Sequence, residues 1–203
     1  QDYNEESGMS PYMREALRGS AKTESKANFG KPDFHIEKYS RPVIFENKFS
    51  AKKLLAENKD GIKQDDSSVS AYAVNGALYY ARNMIASGKY SEVFAIGVAG
   101  DNEENVSLKV YYVFGSALNA YKELTTVQTL DFLENEKSFE TFYKNAVLTE
   151  EEKHQILIDS QAALQSYAKK LNRLMHNHNI TAPQRVLYVS GMLLAMQDIE
   201  MLT

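Results

Sequence analysis

The spacing of apolar residues divides the chain into short runs of differing period. Residues 10–19, SPYMREALRG, carry a capping Ser10, Pro11 at the first helical position and a terminating Gly19, which predicts a short helix. A polar stretch over 20–31 reads as a loop. DFHIEKY and RPVIFENKF follow, rich in β-branched and aromatic residues, and predict two strands joined by a tight turn at residues 39–42. Residues 50–66 are Lys- and Asp-rich and are expected to loop out. From Ser67 to Ser87, Val69, Tyr72, Ala73, Gly76, Tyr80 and Met84 recur at helical spacing, and Gly88 supplies a stop.

VFAIGVAG (93–100) is apolar without alternation, as expected of a strand covered on both faces. LKVYYVFG (108–115) predicts another strand after a turn at 101–105. These elements together predict an α/β fold with a mixed sheet. Farther on, Thr149 and Glu152 form a capping box with Leu148 as its staple, opening a long amphipathic helix to about His176. A second helix is expected from near Pro183 and carries VLYVSGMLLAM, giving a C-terminal helical hairpin with a large apolar surface.

Composition narrows the chemistry. The 203 residues are 43% hydrophobic and 25% charged, ordinary for a globular protein, and the net charge of −4 excludes a general polycation. Positive charge is nevertheless crowded into the first quarter, at Arg14, Arg18, Lys22, Lys26, Lys31, Lys38, Arg41, Lys48, Lys52 and Lys53. The absence of cysteine removes disulfides, thiolate catalysis and Cys-based zinc sites. There is no apolar run of membrane-spanning length and no signal peptide at the start, so a cytoplasmic protein without membrane contact is expected. Both ends look cut, as in a piece of a longer protein. No Gly-Lys-Ser/Thr phosphate loop is present, and Asp101, Glu103 and Glu104 lack calcium-loop spacing. His176 and His178 suit a helix C-terminus, and His154 a solvated turn. His35 shares a strand face with Asp33 and could touch DNA or a metal-bound water.

The stretch PDFHIEKYSRPVIFENK is the chemically informative one. Strand alternation places Ile44, Glu46 and Lys48 on one face and Phe45, Asn47 and Phe49 on the other. Asp33, at the entry to the preceding strand, can approach Glu46 if the two strands pair. Two converging carboxylates make a hard oxygen site suited to Mg²⁺, with the Asn47 backbone carbonyl as a further ligand. Such a site, with an ammonium beside it, serves phosphodiester hydrolysis.

Pro32-Asp33 followed by Glu46-Asn47-Lys48 resembles the PD-(D/E)xK motif of restriction-endonuclease-like nucleases. The resemblance implies an α/β restriction-endonuclease-like core with a mixed central sheet flanked by helices. Asp33 and Glu46 would be metal ligands for Mg²⁺, with Mn²⁺ as substitute, and Lys48 the catalytic lysine. Many such nucleases carry Gln-x-x-x-Tyr on the following helix; Asn75 and Tyr79 are similar, with Asn for Gln, and imply a supporting role near Lys48 or DNA. Close helix–sheet packing explains the small residues there equally well. Glu15, on the first helix, stands where such nucleases often place a further acid.

LNRLMHNHNITAPQRVLYVSGMLLAMQD resembles the helical region leading into the N6-adenine methyltransferase domain of fused restriction–modification enzymes, although no Asn-Pro-Pro-Tyr motif is present. The two resemblances imply a nuclease domain over 1–145 and, over 146–203, a helical linker that begins a methyltransferase-associated region. The implied activity is that of a metal-dependent endodeoxyribonuclease in a bacterial restriction–modification enzyme. Its partners would be DNA, contacted by Arg14, Arg18, Lys22, Lys26, Lys31 and Lys52, and methyltransferase and target-recognition domains of the same chain. A catalytically inactive DNA-binding or assembly module of the same fold, or a DNA-repair nuclease, are the alternatives.

Overall fold

The apolar run at 93–100 becomes the middle of a sheet, and the rest of the fold is arranged around it. A computed structural model describes residues 4–5, 8–22, 29–59, 61–147 and 150–191. In chain order the elements are β1 (Asn4–Glu5), α1 (Pro11–Ala16), β2 (Phe34–Ile36), β3 (Val43–Lys48), β4 (Glu57–Asn58), β5 (Gly61–Ile62), α2 (Asp66–Ala71) and α3 (Ala73–Ala86). They continue with β6 (Val93–Gly100), β7 (Val106–Val113), β8 (Tyr121–Glu123), α4 (Glu136–Ala146) and α5 (Glu150–Asn177).

Six strands form one sheet in the order β1-β2-β3-β6-β7-β8. Among the described strands only β3 and β6 run parallel and the other pairs are antiparallel, so the sheet is mixed. β4 and β5 form a separate small hairpin. The chain is α/β, with helices against the sheet, and the arrangement fits a restriction-endonuclease-like core.

Alternation divides the sheet into two buried faces. Ile44, Ala95, Tyr111 and Val113 pack with Met13 and Leu17 near α1 and with Val74, Leu78, Ala81 and Met84 of α3. The opposite face is aromatic. Phe139 of α4 stacks on Tyr39 at 4.5 Å between ring centroids and meets Phe94 edge-on at 5.4 Å. Fully burying aromatic side chains of this size stabilises a core by about 1.5–3 kcal/mol each.

Several elements depart from the sequence expectations. β2 stops at Ile36 and β3 begins at Val43, so the connection is longer than a tight turn. Its residues are held individually: Ser10 N–H donates to Glu37 at 3.0 Å and Tyr39 Oη donates to the Leu133 carbonyl at 2.6 Å. The single helix expected over 67–87 is two helices. Tyr72 adopts an extended conformation (φ −120°, ψ 139°), and the freed Val74 N–H donates to the Leu54 carbonyl at 2.9 Å. The expected loop at 50–66 contains a helical turn at Ala51–Lys53 and the β4–β5 hairpin. β8 and α4 have no counterpart in the sequence reading. The capping-box residues Leu148 and Thr149 lie outside the described residues.

The chain separates into two compact units, Gln1–Lys153 and His154–Thr203, a boundary inside α5. Within the second, the chain turns at 178–181 into a helix over 182–191. Arg185 of that helix donates to Asn172 of α5 at 2.8 Å, closing the hairpin. No described helix is long and apolar enough to cross a membrane.

Candidate functional site

Glu46 lies near the end of β3, opposite Gly97 in the parallel pairing with β6. It points to the α1/α3 face, as alternation requires, and is only 2% exposed. A carboxylate so buried must be compensated. The Lys22 ammonium lies 2.6 Å from Glu46 Oε2, and the Lys48 ammonium lies 3.5 Å from the same oxygen. Burial pushes the Glu46 carboxyl above its ordinary range, Lys22 opposes that rise, and the nearby negative charge of Asp33 adds to it. Burial likewise lowers the Lys22 ammonium, against the attraction of Glu46.

Asp33 immediately precedes β2, whose register sets Phe34 opposite Phe45. Its carboxylate reaches across to β3, where Oδ2 accepts from the Asn47 N–H at 2.6 Å. The N–H and C=O of one strand residue leave on the same side, so the Asn47 carbonyl is directed to the Asp33 edge as well. Asp33 is exposed and Glu46 is not. The pair therefore opens to solvent from the Asp33 side. Two carboxylates and a backbone carbonyl are hard oxygen donors of the kind Mg²⁺ takes, with its remaining positions left to water. Among the described residues, no group of three or more His, Asp or Glu side chains gathers to hold a metal.

Two glycines let α3 approach this end of the sheet. A Cβ on Gly97 would stand 2.6 Å from the backbone N of Val74, so only glycine admits the first turn of α3 here. A Cβ on Gly76 would stand 2.9 Å from the Val69 carbonyl oxygen and 3.1 Å from Glu46 Oε2. Helix α3 thus presents a bare patch of backbone to the buried carboxylate.

The remaining sequence candidates fall elsewhere. Asn75 is fully buried but turned to the β4–β5 side. Its amide oxygen accepts from Ala56 N–H at 2.9 Å, and its nitrogen donates to the carbonyls of Ala56 (2.9 Å) and Lys63 (2.7 Å). With those bonds made, it ties Ala56 and Lys63 to α3 and does not orient Lys48. Tyr79, one turn on, is half-buried beside Arg82 and Asn83. The helix face that meets the carboxylate is rotated by one residue and carries Gly76 and Tyr80. Glu15 is exposed, pairs with Arg18 at 2.6 Å and senses Lys89, so it is not brought to Asp33 and Glu46.

Of the basic residues assigned to DNA, Arg14, Arg18, Lys31 and Lys52 are exposed. Lys26 lies outside the described residues. Lys22 is a correction: its ammonium is turned inward to Glu46 and is not presented to a phosphate backbone. His35 is also corrected. It is fully buried beside Ile44, and burial lowers its pKa, so it does not reach a nucleic acid. Lys22, Gly76 and Tyr80 were missed as neighbours of the carboxylates. Gly76, within an otherwise helical pattern, is the one signal that marked a close approach.

Over 97% of its length the chain is similar to the type II restriction enzyme and methyltransferase RM.BcgI of Heyndrickxia coagulans, at 30% identity over 206 residues. The match covers 30% of that relative, so the chain spans under a third of it. No protein-family model matches the chain, and no solved structure does.

Proposed function

We propose that this chain is the nuclease part of a restriction–modification enzyme and hydrolyses DNA phosphodiester bonds with Mg²⁺ at Asp33, Glu46 and Lys48. The observation that carries the reading is the meeting of Asp33 with the Glu46–Lys48 strand end. Similarity to a protein named as both restriction enzyme and methyltransferase supports the biological setting.

Asp33, Glu46 and the Asn47 carbonyl would hold the cation, which when bound polarises a phosphoryl oxygen and acidifies a water. Lys48 extends from the same strand face as Glu46, 3.5 Å from it and partly open to solvent. From there its ammonium can hold the attacking water and offset charge gathering on the phosphoryl group. Asp33, tied to the Asn47 N–H, is oriented before any substrate arrives. Arg14, Arg18, Lys31 and Lys52 are the exposed cations proposed to neutralise phosphates along the duplex. Methyltransferase and target-recognition domains acting with this chain are part of the same proposal.

The test is cleavage of DNA with Mg²⁺, or Mn²⁺ in its place, by wild type and by Asp33→Ala and Lys48→Ala. Each substitution is expected to lower the rate by about 100-fold or more. Cleavage equal to wild type by either variant would overturn the assignment of that residue, and no metal-dependent cleavage by wild type would favour a non-catalytic DNA-binding module.

A further inference from the structure

Lys22 lies just beyond α1, outside any helix or strand, yet its side chain is only 11% exposed. Three features receive its ammonium. Glu46 Oε2 is 2.6 Å away, the Tyr80 ring centre is 4.3 Å away, and Gly76 leaves empty the space a side chain would fill. A carboxylate, an aromatic face and a missing Cβ make a niche for a cation. A lysine meant for a phosphate backbone needs none of them.

The niche also fixes how the buried carboxylate is shared. Lys22 and Lys48 both converge on Oε2, and among the described residues no hydrogen bond or ion pair involves Oε1. The two ammoniums balance the charges of Asp33 and Glu46. A second divalent ion bound through Oε2 would sit within a few ångströms of the Lys22 ammonium, a strong repulsion where water is excluded.

We propose that Lys22 is a built-in cation standing in the place of a second metal ion, so that the site takes a single divalent cation on the Asp33 side of Glu46. This rests on the metal-site reading above. Lys22 is a positioning residue: it holds Glu46 by one oxygen and leaves the other to the metal. It also sets the number of ions the site accepts.

Stoichiometry tests this without any cleavage. The 203-residue chain is titrated with Mn²⁺ in the absence of DNA, and free ion is counted by electron paramagnetic resonance. Wild type is expected to bind one Mn²⁺, lost in Glu46→Gln. Lys22→Glu, which puts a carboxylate where the ammonium stood, is expected to bind two. Two Glu46-dependent ions on wild type would overturn this inference and leave the proposed function standing. No Glu46-dependent ion on either wild type or Lys22→Glu would overturn both. A folded Lys22→Glu that still binds one ion overturns the stand-in role. If that variant does not fold, the wild-type count decides alone.

Discussion

Two glutamates are buried against the same sheet, and they have opposite surroundings. Glu92 immediately precedes β6 and is 8% exposed; Glu46 lies near the far end of the neighbouring parallel strand and is 2% exposed. Glu92 accepts from Arg41 and Tyr112 on its two oxygens and from Tyr143 at 2.6 Å. Burial alone would raise its carboxyl, but these donors overcome it and hold the group at about 2. Glu46 has ammoniums on one oxygen only and a second carboxylate nearby, and its carboxyl is pushed up. Burial is common to both. The difference lies in the donors: the partners of Glu92 come from the turn, the sheet and α4 and fasten the fold, whereas Glu46 takes its ammoniums on one oxygen at an open strand end, as the proposed metal site requires.

Exchanging each carboxylate for an amide sharpens this contrast most. Glu46→Gln is expected to lower Mg²⁺-dependent DNA cleavage by about 100-fold or more while changing stability by less than about 2 kcal/mol, because the amide oxygen still accepts from Lys22. Glu92→Gln is expected to cost about 2 kcal/mol in denaturant unfolding and to leave Mn²⁺ binding unchanged. If the two variants gave the same pattern, the division of roles would fail.

The second prediction concerns acid. Glu92 is held at about 2 in the fold against an ordinary value of 4.5, so the unfolded chain takes up its proton first as pH falls. Its contribution is fully present above about pH 5 and is lost as pH drops through 4.5 toward 2, amounting to about 2 kcal/mol. Glu92→Gln lacks this component, and unfolding curves for the two proteins should converge in acid. Parallel curves down to about pH 2 would contradict the assignment.

The smallest effect is expected at Tyr143, which donates to Glu92 and accepts from Arg41 at 3.0 Å. Tyr143→Phe keeps the ring and removes the hydroxyl, at a cost of about 1 kcal/mol by thermal or denaturant unfolding. A loss as large as that of Glu92→Gln would mean that the hydroxyl, not the Arg41 ion pair, carries the cluster.

How far the site could be read from sequence varies residue by residue. Glu46 and Lys48 share a face because strand side chains alternate, and β3 contains both. Asp33 could be put within reach because its strand pairs with the next. Asn75 shows where periodicity stops helping. Four-residue spacing correctly puts Asn75 and Tyr79 on one stripe of α3, but not which stripe faces the sheet. The packing of Val74 on Gly97 sets that rotation and turns Gly76 and Tyr80 to the carboxylate. Lys22 was one of ten cations in the first quarter, and nothing local separates it from Lys31 or Lys52. Its burial follows from contacts with residues 24 and more positions away.

By itself, then, the sequence determined the α/β class, the apolar strand at 93–100 and the shared face of Glu46 and Lys48. Each of these is a property of period along one segment, and side-chain alternation is imposed by backbone geometry wherever a strand forms. Only the tertiary structure decided the break at Tyr72, the rotation of α3 and the inward turn of Lys22. Each of those depends on which surfaces meet: a helix reaching Gly97, a glycine facing a buried carboxylate, and a charge that must be matched where water is excluded.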